Sequence, residues 1–153
     1  MATPTWLRGA ALAALALFAG ACSISMRLPK DFLRLESRGH DLQAVTGDDA
    51  RIWAREFRDA NEAPLSFWAA AIEHDLVQQR GYELVAKGEV EGKRGAGGVW
   101  LECAANVRGE RIGYLIGLWV HGREVRVLEF TARAEVFAAR IDEVKKALPT
   151  VRW

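Results

Sequence analysis

Two cysteines, three histidines and a glycine-rich stretch with two cations are the positions in this chain whose side chains could do chemistry. A zinc site needs three or four converging ligands, whereas His40, His74 and His121 fall in an expected loop, helix and turn. In Glu73-His74-Asp75, consecutive side chains point around a helix instead of at one ion. Ser25 and Ser66 lack the Gly-x-Ser-x-Gly elbow that exposes a nucleophilic serine. Cys103 has no histidine at a spacing that would activate its thiol. A phosphate cradle needs converging backbone amides, a Lys-Ser/Thr pair and a following helix N-terminus. In Gly92-Lys93-Arg94-Gly95-Ala96-Gly97-Gly98 the lysine precedes the glycine cluster and a strand follows. The segment therefore reads as a flexible hairpin loop whose Lys93 and Arg94 can touch a lipid headgroup or an acidic partner. Glu102, Glu110 and Glu129 are acids that a sheet could bring together, but glycosidase-like chemistry requires a particular carboxylate separation. No catalytic residue, metal ligand or cofactor is expected.

Cys22 has a different context. Met1 to Arg8 carries one positive charge, and Gly9 to Ala19 is an uncharged run of Ala, Leu, Gly and Phe. That run suits the apolar region of an export signal and is too short for a spanning helix, which needs ~20 residues. It ends in Leu17-Phe18-Ala19-Gly20-Ala21-Cys22, which resembles the lipobox of bacterial lipoproteins, with Ala19 where leucine is commoner. The resemblance implies removal of residues 1–21 and lipidation of Cys22: a diacylglycerol on sulfur and an amide-linked acyl chain such as palmitate. Together these pass the two-chain threshold for stable anchoring. Ser23 implies sorting to the outer membrane rather than retention in the inner one. An ordinary cleaved signal peptide with a chance cysteine, or an uncleaved anchor, are the alternatives. A thioether at Cys22 would leave Cys103 without a disulfide partner.

Composition bounds what remains. A chain of 153 residues with 50% hydrophobic content and six tryptophans is one folded domain with a sizeable core. The stretch before Cys22 holds one charged residue, Arg8, so its removal leaves 20 Lys+Arg against 20 Asp+Glu. A mature chain of net charge zero has no global field for nucleic acid. Nucleic-acid binding is therefore disfavoured.

The elements follow from periodicity. Residues 22–30 read as the lipidated N-terminus and a short tether, and 31–153 as a single domain. Asp31 to Leu35 suits a short strand or turn, and Asp41 to Thr46, Gly47-Asp48-Asp49 and Ala50 to Phe57 a hairpin. Asn61-Glu62-Ala63-Pro64 supplies a cap, an early acid and a first-turn proline. The spacing of Leu65, Trp68, Ala69, Ile72 and Leu76 predicts a helix to about Arg80, ended by Gly81. From Tyr82 the period becomes two, predicting strands 82–90, 99–107, 111–120 and 124–131 joined by glycine-containing reversals. Phe137, Ile141, Val144 and Leu148 predict a last helix from Ala134. The expected class is α+β, an antiparallel sheet with a mid-chain and a C-terminal helix packed against one face. The other face must be partly covered or used, because residues 111–120 are apolar on both sides. Cys103, sharing a strand face with Val99 and Leu101, is expected to be a buried small hydrophobe. Trp100 falls on the opposite side and is the tryptophan expected at a partner surface.

This order, the helix opening Leu65-Ser66-Phe67-Trp68, the Arg80-Gly81-Tyr82 exit and the pattern Tyr114…Val125…Glu129 before a last helix resemble the PsbP-like superfamily. That group includes the Ran-binding Mog family and DcrB-type bacterial lipoproteins. The resemblance spans roughly residues 31–153 and implies a non-enzymatic binding or assembly-accessory domain. Its expected partners are the lipid bilayer, through Cys22, and an envelope protein, through Trp100, Lys93 and Arg94. The rival reading is a small envelope hydrolase or metal-dependent enzyme whose site does not show in sequence.

Overall fold

Glu110–His121 is the longest strand, and the side chains on its two sides determine the architecture. Tyr114, Ile116, Leu118 and Val120 point one way, whereas Leu115 and Trp119 point the other, with Gly113 and Gly117 beside them. An apolar set on each side needs two covers. The computed structural model, which describes residues 24–36, 41–92 and 95–152, supplies one helix to each.

In chain order the elements are β1 (Leu33–Leu35), β2 (Leu42–Val45), β3 (Arg51–Arg58), α1 (Leu65–His74), β4 (Glu83–Glu91), β5 (Gly97–Val107), β6 (Glu110–His121), β7 (Glu124–Arg133) and α2 (Ala134–Ala147). A π-helical turn, Asp75–Gln79, extends α1, and a tight turn, Leu148–Thr150, follows α2. The strands form one antiparallel seven-stranded sheet in the order β1-β2-β3-β7-β6-β5-β4. The N-terminal hairpin thus joins the later meander through β3 and β7, with Ile52 opposite Phe130 and Trp53 opposite Glu129.

The helices do not share one face, contrary to the expectation from sequence, because β6 is apolar on both sides and each side takes its own cover. Val144 and Phe137 of α2, with the following Leu148, pack with Leu115, Trp119, Leu128 and Phe130. On the opposite side Leu65, Trp68, Ala69 and Ile72 of α1, with Leu76, cover Leu101, Cys103, Ile116, Leu118, Val125 and Val127. Close approach of α2 depends on Gly113, where a Cβ would lie 2.0 Å from Cγ of Phe137. Glu56 interrupts the apolar side of β3 because it pairs with buried Arg126: Nε donates to Glu56 Oε2 at 2.7 Å, and Nη2 to Glu124 Oε2 at 2.5 Å.

Two local differences from the sequence reading have clear causes. The helix begins at Leu65, not in the Asn61 to Pro64 turn. That turn is organised by Asp59, whose carboxylate accepts from the backbone N–H of Asn61 and Ala63, each at 2.8 Å, and from Trp68 Nε1 at 3.3 Å. These bonds to the ionised form hold the Asp59 carboxyl below its ordinary pKa. A group with a depressed folded pKa stabilises above its unfolded value, and that contribution is lost as pH falls through the folded value. Acidification from about pH 5 to pH 2 should therefore lower the melting temperature of the wild type more than that of Asp59→Asn, followed by circular dichroism.

The expected tether is the second difference. From Ile24 onward it is docked: Ile24 and Val151 are each 1% exposed. Ser25 and Arg152 form a two-bond bridge with N···O distances of 2.9 and 2.7 Å. No helix among the described residues is long and apolar enough to cross a membrane.

Candidate functional site

Alpha helix α1 is too short to cover its whole face of the sheet. It lies over β5, β6 and the near part of β7, while the corresponding side of β1, β2 and β3 stays open. Strand alternation puts Leu33, Leu35, Trp53 and Phe57 on that side. All four are exposed, Leu33 at 72% and Trp53 at 40%. Exposed apolar residues that are contiguous, instead of scattered, mark an interaction surface.

Where the open half meets α1, a groove of about 190 Å³ runs between β3 and the helix. Its apolar walls are Phe57, Trp68, Ile72, Leu76, Ile116 and Val127. Phe57 meets Trp68 edge to face, with ring centroids 5.3 Å apart. Polar groups come from Tyr114, Glu129, Arg55, Asp75 and Arg80. Tyr114 Oη donates to Glu129 Oε1 at 2.5 Å. Arg55 Nη2 lies 3.9 Å from Glu129 Oε2, and its guanidinium sits 5.0 Å from the Trp53 ring centroid. Burial, then the bond to Glu129, push the Tyr114 phenol well above its ordinary pKa, so it stays protonated and donates. The groove thus offers an apolar slot with a fixed acceptor and a cation at one end, suited to an aromatic or aliphatic side chain with a polar tip. Its lining holds no thiol, hydroxymethyl or imidazole group to act as a nucleophile or near-neutral base.

The residues singled out from sequence fall elsewhere. Trp100 is half-buried on the α2 side. Its indole lies where a Cβ on Gly88 would be, and Lys145 Nζ sits 4.1 Å from a Trp100 ring centroid. Lys145 also donates to Glu102 at 2.5 Å. Cys22, Lys93, Arg94 and His40 lie outside the described residues.

Cys103 is 1% exposed, and desolvation raises its pKa. The three acids named above do not converge: Glu102 pairs with Lys145, Glu110 with Arg133 and Glu129 with Tyr114 and Arg55. His74 is exposed at the end of α1, and His121 is exposed at the end of β6. Among the described residues no three His, Cys, Asp or Glu side chains are grouped to hold a metal ion. Sequence reasoning missed Arg55 and Phe57 as site residues, since they meet Tyr114 and Glu129 only through the β3–β7 pairing. Their hint was the alternation of Trp53, Arg55 and Phe57 along one strand face.

No family model matches the chain, and no curated protein matches it in sequence. Solved structures do match in shape. LpqN of Mycobacterium tuberculosis, described as involved in cell envelope biogenesis, superposes with a TM-score of 0.59 at 10% identity, over 85% of this chain and 83% of that one. Cyanobacterial PsbP (CyanoP) from Synechocystis gives 0.58 at 7% identity, over 88% and 95%. The Saccharomyces cerevisiae Ran-binding protein Mog1p gives 0.55 at 12%, over 83% and 80%. At these identities the likeness is one of fold, and the fold of this chain is the α+β architecture of PsbP and Mog1p.

Proposed function

We propose that the chain is a cell-envelope lipoprotein, held by acylated Cys22 on the periplasmic face of the outer membrane. Its domain acts as a non-enzymatic binding or assembly-accessory module for an envelope protein. The observation that carries the binding role is the open half of the α1-side face, where Leu33, Leu35, Trp53 and Phe57 adjoin the Arg55–Glu129–Tyr114 groove. Exposed aromatic side chains beside an arginine are the residue types that a partner buries at a binding hot spot. Likeness in fold to LpqN, a protein of envelope biogenesis, supports an envelope role. Trp100, Lys93 and Arg94 are proposed as a second, separate contact on β5 and the β4–β5 loop.

Crosslinking in intact envelopes followed by capture tests the module. One protein partner should be enriched by the wild type and reduced at least roughly tenfold by Trp53→Ser/Phe57→Ser. Because both rings are exposed, the melting temperature should move by only a few degrees, roughly. Equal recovery with both forms would sink the assignment of this face. The anchor is tested by intact mass spectrometry of the membrane-extracted chain. A species beginning at Cys22 with added acyl mass, absent from Cys22→Ser, is expected; an unmodified chain cut elsewhere would refute it.

A further inference from the structure

The docked N-terminal segment and the C-terminal segment form one end of the molecule. Besides the Ser25–Arg152 bridge, the Arg27 N–H donates to Thr150 Oγ1 at 2.9 Å. Ile24 and Val151 turn inward, leaving Ser25, Arg27, Thr150 and Arg152 around a cleft of about 330 Å³ that also includes Met26 and Pro149. Residues 24–30 and 146–152 contain Arg27, Lys30, Lys146 and Arg152 and no Asp or Glu. All four cations are exposed. None has an ion-pair partner among the described residues; ten other lysines and arginines do, and Arg34, Arg58 and Arg108, scattered elsewhere in the chain, are the other cations without one there. Acids resume at Asp31, next to Lys30 and 3.9 Å from Arg140, and at Glu143, one turn before Lys146 on α2.

We propose that this cationic end is a membrane-docking surface. Arg27 and Arg152, with Lys30 and Lys146 nearby in sequence on the same two segments, lie against the anionic phospholipid headgroups of the membrane that holds the chain. The proposal rests on the anchor reading, because acylation of Cys22 leaves only Ser23 between the lipid and buried Ile24. A tether of that length gives the domain little freedom to turn away, so the surface next to Ile24 is the one presented to the bilayer. Each cation near an anionic surface strengthens the contact roughly fivefold, and a lipid chain combined with a basic patch is a common two-part anchor. The groove on the α1 side is then free for a partner.

The test uses the full acylated chain, purified in detergent and reconstituted into vesicles of phosphatidylglycerol with phosphatidylethanolamine, or of phosphatidylcholine alone. A water-soluble amine-reactive reagent is applied, and labelling at each lysine is read by mass spectrometry on outward-facing protein. Lys30 and Lys146 should be labelled at least roughly fivefold more slowly in the anionic vesicles than in detergent, while Lys87 is labelled alike in both. In phosphatidylcholine vesicles, and for Arg27→Glu/Arg152→Glu in anionic vesicles, the protection should disappear although the chain still floats with the lipid. Equal labelling of Lys30 and Lys146 in all three settings, with the chain floating, would overturn the docking surface and leave the anchor standing. Equal protection in both vesicle types would overturn recognition of the headgroup charge. A chain that does not float removes the anchor reading, and this proposal falls with it.

Discussion

Trp119→Ala is expected to lower stability by about 3–5 kcal/mol, a large share of the ~5–15 kcal/mol that holds a domain of this kind together. The indole is fully buried at the centre of the α2-side core. It lies across β5 and β6 where side chains at Gly98 and Gly117 would otherwise be: their Cβ atoms would come within 2.5 and 2.8 Å of the ring. Neighbouring glycines have no side chain to move into the space, so the cavity stays open and the cost falls toward the upper end. Thermal unfolding should shift down by roughly 10–20 °C. Trp119→Phe should cost markedly less. The indole Nε1 is buried and has no hydrogen-bond partner among the described residues, so replacing it removes a donor whose desolvation opposes folding. If phenylalanine costs as much as alanine, ring volume is not what the site requires.

Gly113→Ala probes the same core from the opposite direction. An added methyl would overlap the Phe137 ring, with Cγ at 2.0 Å and Cδ1 at 2.3 Å. Phe137 is also stacked on Phe130, with centroids 4.9 Å apart at 12°, so it cannot simply swing aside. The helix must lift from the sheet, and a loss of about 2–3 kcal/mol is expected, at the high end for overpacking. Phe137→Ala in the same chain should relieve the clash, making the double variant less unstable than the two single losses predict, by about 1–2 kcal/mol. Strict additivity in denaturant melts would show that the helix does not rest on this glycine.

Local pattern made much of this fold legible. The hairpin around Gly47, the four strands after Tyr82 and both helices stand close to where periodicity and turn residues put them, because those signals lie within a few residues of one another. The pairing of β3 with β7 is different: it joins residues some seventy positions apart, as in Glu56 with Arg126, and no local pattern encodes it. The opposite placement of the helices was present in sequence as the two-sided apolar character of β6, although it could equally mean a face left open. Asp59 carries no sequence signal of its own, because Asn61 and Pro64 fit a helix start and its role depends on a turn that folds two backbone N–H groups back toward it. The candidate groove was least legible, since its polar end is assembled from β3, β6 and β7 and no two of Arg55, Tyr114 and Glu129 are close in the chain.

The bridge between Ser25 and Arg152 also bears on when this domain can finish folding. Its companion bond joins Arg27 to Thr150 across 123 positions, and contacts of such separation form late, after the loop between them has been ordered. Ile24 belongs to the buried cluster that Leu148 and Val151 also enter. Docking of the N-terminal segment is therefore one of the last steps of folding, because it waits for the segment after α2 to be in place.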